Sequence, residues 1–168
     1  MKNRFLLKFT FILIFITLIF ITTKDIFSQN SSINWVEYDK ALNDSKQNKK
    51  HVFLYFWTES CPYCQKMKNI TLTNKEVIEY LNNYFNSVSI DANSSKTVSQ
   101  ILNKTGNSLA NFYMIQGVPT SIFLKTNGET LYNIPGFIEW PTFLLILKYI
   151  ATNSYEKMSF NEFKKNNQ

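Results

Sequence analysis

A chain of 168 residues has room for one packed domain and short extensions, and its two cysteines and single histidine limit what metal chemistry it can hold. The formal charge of +6 overstates the basic character of the domain, because residues 1–28 carry Lys2, Arg4, Lys8 and Lys24 against Asp25 alone, which leaves +3 on the remainder. The other lysines are scattered or gathered at Lys164-Lys165, a solvated end rather than a basic stripe, which argues against nucleic-acid binding.

Lys2, Arg4 and Lys8 precede an apolar run from Phe9 to Ile21 that is interrupted only by Thr10 and Thr17. About 13 residues fall short of the roughly 20 that cross a bilayer, so residues 1–28 read first as an export signal peptide. The cleavage signal is poor: no A-x-A occurs, and Ile26-Phe27-Ser28 before Gln29 is the nearest substitute. Thr22, Thr23 and their flanks lengthen the run, so an uncleaved signal-anchor over residues 9–23, in contact with the membrane, is the alternative. No cysteine lies nearby, which excludes lipid attachment. Either way the rest of the chain is expected to work outside the cytoplasm, in the periplasm or an equivalent space.

Residues 29–33 are a polar linker. Trp35, Tyr38, Ala41 and Leu42 then recur at helical spacing and predict a helix from Asn34 to Lys46, broken by Asn48-Lys49-Lys50. The unbroken run Val52-Phe53-Leu54-Tyr55-Phe56-Trp57 predicts a strand buried on both faces. His51, at its start, is expected on the surface. After Cys61-Pro62-Tyr63-Cys64, the residues Gln65, Lys66, Met67 and Lys68 favour helix. Thr73-Asn74 with Glu76 behind it caps a second helix through Val77, Ile78, Tyr80 and Leu81. Phe85 to Ile90 reads as a second central strand ending at Asp91. Residues 92–107 are polar and predict a loop enclosing a short helix around Val98, Ile101 and Leu102. Ser108 to Ile115 resumes as helix, stopped by Gly117. Beyond Val118-Pro119-Thr120, the runs Ile122-Phe123-Leu124 and Leu131 to Ile134 flank Asn127-Gly128, a strong hairpin signal. Pro141 opens an apolar helix through Phe143, Leu144, Leu145, Leu147 and Ile150, and Ser159-x-x-Glu162 marks a capping box for a short tail helix. Strands alternating with helices, then a hairpin, predict a three-layer α/β/α sandwich around a mixed sheet. Residues 34–151 form the domain, and 152–168 a tail with a short helix.

Cys61 and Cys64 are the only cysteines, three residues apart at a strand-to-helix turn. A thiol in the first turn of a helix sits near spare N–H donors and the positive end of the macrodipole, so its thiolate is favoured. Its neighbour three residues on faces the same side and can close a disulfide with it. As a structural staple the pair is inefficient: a loop of about four residues removes roughly 2 kcal/mol of unfolded-state entropy, against about 4.7 for a loop of about 100. A closed zinc site needs four ligands, and His51 alone supplements the two sulfurs. Covalent haem attachment needs a histidine where Gln65 stands. A reversible dithiol is the reading these residues favour, with metal handling and an inert bridge as the alternatives.

Three landmarks in this order resemble the thioredoxin-like superfamily: Phe56-Trp57-Thr58-Glu59-Ser60-Cys61-Pro62-Tyr63-Cys64, then Gly117-Val118-Pro119-Thr120, then Asn127-Gly128-Glu129 with Gly136 beyond. The resemblance covers about residues 33–151. The N-terminal segment, the long insert before Pro119 and the tail Tyr155-Glu156-Lys157-Met158-Ser159-Phe160 are similar to exported thioredoxins of the SoxW type. The resemblance implies a thiol–disulfide oxidoreductase with a Cys-Pro-Tyr-Cys active site, in which Cys61 attacks and Cys64 resolves. It implies a cis peptide at Pro119, packed against the dithiol, and a Val118 backbone free to pair with an extended substrate. Trp57, Pro62, Tyr63 and Val118 are the expected substrate-contacting positions. Trp57 is expected to pack mainly against the dithiol helix, and Tyr63 to be exposed.

The implied substrates are disulfides of exported proteins, with electrons from a membrane thiol donor of the DsbD type and no nucleotide, flavin or metal cofactor. The competing reading is a binding module that captures Cu(I) or senses redox state with the same dithiol, since soft thiolates suit that ion. The chain also departs from the family. Tyr55 stands where thioredoxins carry a buried aspartate that takes the proton from the second cysteine, and Ser87 where its lysine partner lies. A phenol with an ordinary pKa near 10 is a poor base at neutral pH, which leaves water, Glu59 or the departing thiolate to deprotonate Cys64. Pro62-Tyr63 is the dipeptide of glutaredoxins, but the charged glutathione-binding features of that family are missing.

Overall fold

Strand β1 (His51–Trp57) runs through the middle of the molecule, and the computed structural model describes the chain around it from residue 32 to residue 167. The expected export or anchor segment, residues 1–28, lies outside the described residues, as does most of the 29–33 linker. No helix among the described residues is long and apolar enough to cross a membrane.

Helix α1 (Tyr38–Asn48) leads into β1. Then come α2 (Pro62–Lys66), a π-helical turn over Met67–Thr71, α3 (Lys75–Tyr84) and β2 (Phe85–Asp91). A small hairpin, β3 (Thr97–Ser99) and β4 (Lys104–Thr105), precedes α4 (Gly106–Phe112). Strands β5 (Thr120–Leu124) and β6 (Thr130–Pro135), helix α5 (Trp140–Ala151) and tail helix α6 (Phe160–Asn166) complete the fold. The main sheet has the order β2-β1-β5-β6. β1 is parallel to β2 and antiparallel to β5, and β5 is antiparallel to β6, so the sheet is mixed.

Because successive side chains leave a strand on opposite faces, β1 feeds two cores. Phe53 and Tyr55 join Met67, Val77, Leu81, Phe143 and Leu147 on one face, while Val52, Leu54 and Phe56 meet Tyr38, Ala41, Leu109 and Ala110 on the other. Helices therefore cover both faces, which is the mixed α/β thioredoxin fold. Phe53 anchors the first core, stacked 5.3 Å from Phe123 and edge-on at 5.5 Å from Phe143. Each such ring contributes about 1.5–3 kcal/mol by burial.

Four local expectations are corrected. The first helix begins at Tyr38 rather than Asn34, because Trp35 bridges to Ser87 beside β2, and the Val36 N–H donates to the Ser87 carbonyl at 2.9 Å. Where a short helix is expected around Val98, Ile101 and Leu102, residues 97–105 form a hairpin, and helix resumes only at Gly106. Asp39, on α1, claims the turn: its carboxylate accepts from the Ser99 hydroxyl at 2.6 Å and from the Gln100 and Ile101 N–H groups at 2.7 and 3.1 Å. Burial alone raises the Asp39 pKa, but these three bonds outweigh it and hold the carboxyl below its usual value.

The helix after Cys64 widens into the π turn at Met67 instead of continuing as α. Finally, His51 is buried, because Tyr155 folds back over the start of β1. Its phenol lies 3.2 Å from His51 Nε2, with the rings edge-on.

Candidate functional site

Cys61 caps α2: its backbone is extended, Pro62 follows in the first turn, and the Cys64 N–H points back at Cys61 Sγ from 3.0 Å. A donor aimed at that sulfur favours its negative form. The turn ahead of it is closed by the Cys61 N–H donating to the Thr58 carbonyl at 3.3 Å. Cys61 and Cys64 form a disulfide, with Cα atoms 5.2 Å apart. The two halves differ in access. Cys64 is 2% exposed, whereas Cys61 is part-exposed and flanked by Pro62 and Tyr63, the latter 63% exposed.

Pro119 is delivered by a separate route. Helix α4 ends at Phe112, Met114 turns the chain with φ 53°, and residues 115–119 cross to the dithiol before β5 starts. The Val118–Pro119 peptide is cis. The Val118 carbonyl oxygen lies 3.4 Å from Cys61 Sγ. The segment is tied at both ends. The Thr120 hydroxyl donates to the Gly117 carbonyl at 2.7 Å, and the Gly136 N–H to the Pro119 carbonyl at 2.8 Å. Thus Cys61, Pro62, Tyr63, Val118 and Pro119 come together at one end of the sheet.

Trp57 packs against the first core and shares a pocket wall with Cys64 and Gln65 of the dithiol helix. It is half-buried, and its indole N–H donates to Ser89 Oγ at 2.8 Å, across to β2. Lys68, on the π turn that follows the dithiol helix, lies 5.9 Å from its ring centroid. Ser89 was not singled out from sequence. Its role follows from the register that pairs it with Tyr55, and no local pattern encodes register.

Tyr55 fills the space behind Cys64. Its hydroxyl donates to the Cys64 carbonyl at 3.1 Å, and burial pushes its pKa up to about 12. Ser87, on β2 and paired with Phe53, is buried with no hydrogen-bond partner at Oγ, and its hydroxyl supplies no charge in place of a lysine. Glu59 is exposed, and its carbonyl accepts from the Gln65 amide at 3.3 Å. Among the described residues no three His, Cys, Asp or Glu side chains gather in a way that could hold a metal.

A mixed sheet, a vicinal pair of cysteines at a helix start and a cis-proline segment against the outer sulfur define a protein of the thiol–disulfide-oxidoreductase-like class. A family model described as a thioredoxin-like domain matches residues 38–151, and the chain belongs to that family. The disulfide bond reductase DsbH of Chlamydia pneumoniae is 24% identical over 102 residues, which span 60% of this chain and 61% of that protein. Among solved structures, a thioredoxin from Thermus thermophilus is 29% identical with a TM-score of 0.60, covering 71% of this chain and 87% of that one. A thioredoxin-fold protein from Helicobacter pylori is 27% identical with a TM-score of 0.60, covering 71% of this chain and 80% of the other.

Proposed function

We propose that this protein is a thiol–disulfide oxidoreductase that reduces disulfides of exported proteins outside the cytoplasm, resembling exported thioredoxins of the SoxW type. The observation that carries this reading is the placing of Cys61, a part-exposed residue whose Sγ lies 3.4 Å from the Val118 carbonyl and is bonded to a buried Cys64. Cys61 thiolate attacks one sulfur of a substrate disulfide, and the other substrate sulfur leaves with the electron pair. Cys64 thiolate then attacks Cys61 Sγ, the mixed disulfide breaks, and the substrate departs as a dithiol while the Cys61–Cys64 disulfide forms.

Val118 offers its backbone to an extended substrate segment as an added strand, and Pro62 and Tyr63 follow the attacking sulfur in the chain, with Trp57 as the further expected contact. The name of the Chlamydia relative, a disulfide bond reductase, supports the reducing direction. The basic and apolar pattern of residues 1–28 supports export or anchoring, and a membrane thiol donor of the DsbD type would then return Cys61–Cys64 to the dithiol.

The test is reduction of insulin disulfides by dithiothreitol. The wild type accelerates it, Cys61→Ser abolishes the acceleration, and Cys64→Ser accumulates a mixed disulfide visible on non-reducing gels. A wild type that gives no acceleration but binds Cu(I) tightly and stoichiometrically overturns the reading in favour of metal handling.

A further inference from the structure

Resolution requires Cys64 to lose a proton, yet the residue is buried. Beside it lies a cavity of about 370 Å³ whose wall includes Cys64, Tyr55, Trp35, Trp57, Lys68 and Ser89. Trp35 stacks on Tyr55 at 6.3 Å, and Trp57 is held open towards β2 by its bond to Ser89, so aromatic faces frame the space. Ser32 and Thr73, both exposed, also line it.

The titratable groups around Cys64 are few. Tyr55 faces it from β1, and Lys68 lines the cavity from the π turn. Lys66, on α2, is directed to the Phe137 ring at 4.4 Å, and Glu59 lies outside the cavity wall. Among the described residues the lining contains no carboxylate and no imidazole. Tyr55 holds its own proton and spends it on the Cys64 carbonyl.

We propose that this cavity is the port through which Cys64 gives up its proton to solvent and through which small solutes reach its sulfur. Resolution then relies on base delivered from solution rather than on a base held in the fold. The balance is simple: water or a dissolved base takes the Cys64 proton through the cavity. The resulting thiolate pair forms the bond to Cys61 Sγ, and the substrate sulfur leaves with the pair of the broken bond and is protonated outside. Lys68 favours anionic bases at the cavity. The kinetic part of the proposal rests on the oxidoreductase reading; the access part does not.

The two parts are tested separately. In Cys61→Ser, Cys64 is the only thiol of the chain. Iodoacetamide is expected to alkylate it in the folded protein, and a second change, Ser32→Trp, to slow labelling at least about tenfold, a barrier increase of about 1.4 kcal/mol. Ser32 contributes its backbone carbonyl to Asn82, which the substitution leaves in place. Should that variant fail to fold, Thr73→Trp obstructs the same cavity. Equal labelling with and without the obstruction overturns the port.

In the otherwise wild-type chain, the decay of a preformed mixed disulfide on Cys61 is followed by stopped flow. Added imidazole is expected to accelerate it, and Ser32→Trp to remove that dependence. Tyr55→Asp, which sets a carboxylate in the cavity wall, is expected to speed decay in buffer-free solution by part of the roughly 100- to 10,000-fold a positioned base supplies. Decay indifferent to imidazole and to the obstruction overturns the kinetic part. A wild type inactive on insulin sinks the oxidoreductase reading, and the labelling result then still decides the port.

Discussion

Gly106→Ala is expected to lower stability, and the structure sets the size of the effect. Gly106 opens α4 directly after its cap, Thr105. A Cβ there would lie 2.2 Å from the Asp91 carbonyl oxygen and 3.1 Å from Ser94 Cβ, where ordinary contact begins at 3.4 Å. Relief requires the end of β2 and the start of α4 to part by about 1 Å, and close-packed interiors resist that. The two are stitched together. The Ser94 N–H donates to Asp91, Asn107 to Ser94, and Gly106 itself to Lys96, at 3.1, 3.0 and 3.2 Å.

Overpacking of this kind costs roughly 1–3 kcal/mol, and removing a helical glycine returns about 0.5–1 kcal/mol. The net loss, about 1 kcal/mol at the middle of these ranges and about 2.5 at most, corresponds to about 2–4 °C in Tm per kcal/mol for a chain of this size. The control is Gly117→Ala, whose Cβ meets nothing within 4 Å, and which is expected to stay within about 0.5 kcal/mol of wild type. Thermal and urea unfolding of both variants measure this. A Gly106→Ala protein that melts at or above the wild type refutes the close approach of α4 to β2.

His51 carries a pH signature. Burial lowers its pKa, with Glu156 opposing more weakly, so below its unfolded value near 6.5 the unfolded chain binds the extra proton. Stability is therefore expected to fall as pH drops from about 6.5 towards the folded value and to level off beneath it, and His51→Gln to remove that slope from urea midpoints. A wild type with no slope in that range refutes the burial of the ring. Ser121 is fully buried with no partner at Oγ, so Ser121→Ala is expected to raise stability by about 1 kcal/mol, read from the urea midpoint; a loss of that size would mean the hydroxyl is satisfied.

Much of the layout is local and was legible in the chain. The run Val52–Trp57 can be buried on both faces only at the centre of a sheet, and it is there. Asn74 accepts from the Glu76 and Val77 N–H groups, Ser159 and Glu162 close their capping box, and Gly128 turns the β5–β6 hairpin at φ 88°. Each of these depends on residues within a few positions of one another, so the pattern carries the answer. Where the reading missed, the deciding partner lay far along the chain. Asp39 reaches across 60 residues to make a hairpin of a segment whose spacing of Val98, Ile101 and Leu102 favours helix. Tyr155 buries His51 from 104 residues away.

The site divides along the same line. Two cysteines three apart after a buried strand already contained the capacity for a reversible disulfide, because a four-residue turn at a helix start places both sulfurs on one side. Which sulfur is open and which is sealed, and that the Val118 carbonyl meets the open one, came from strands and loops that meet only in the folded sheet. The exchange of aspartate for Tyr55 was visible as a missing base. Its consequence, a phenol bonded to the Cys64 carbonyl beside a cavity with no carboxylate among its described lining residues, was decided where Tyr55 of β1 meets α2. Chemistry that depends on bonds along the chain can be read from the order of residues. Access and the surroundings of a proton depend on what the rest of the molecule excludes, and exclusion exists only once the helices close on the sheet.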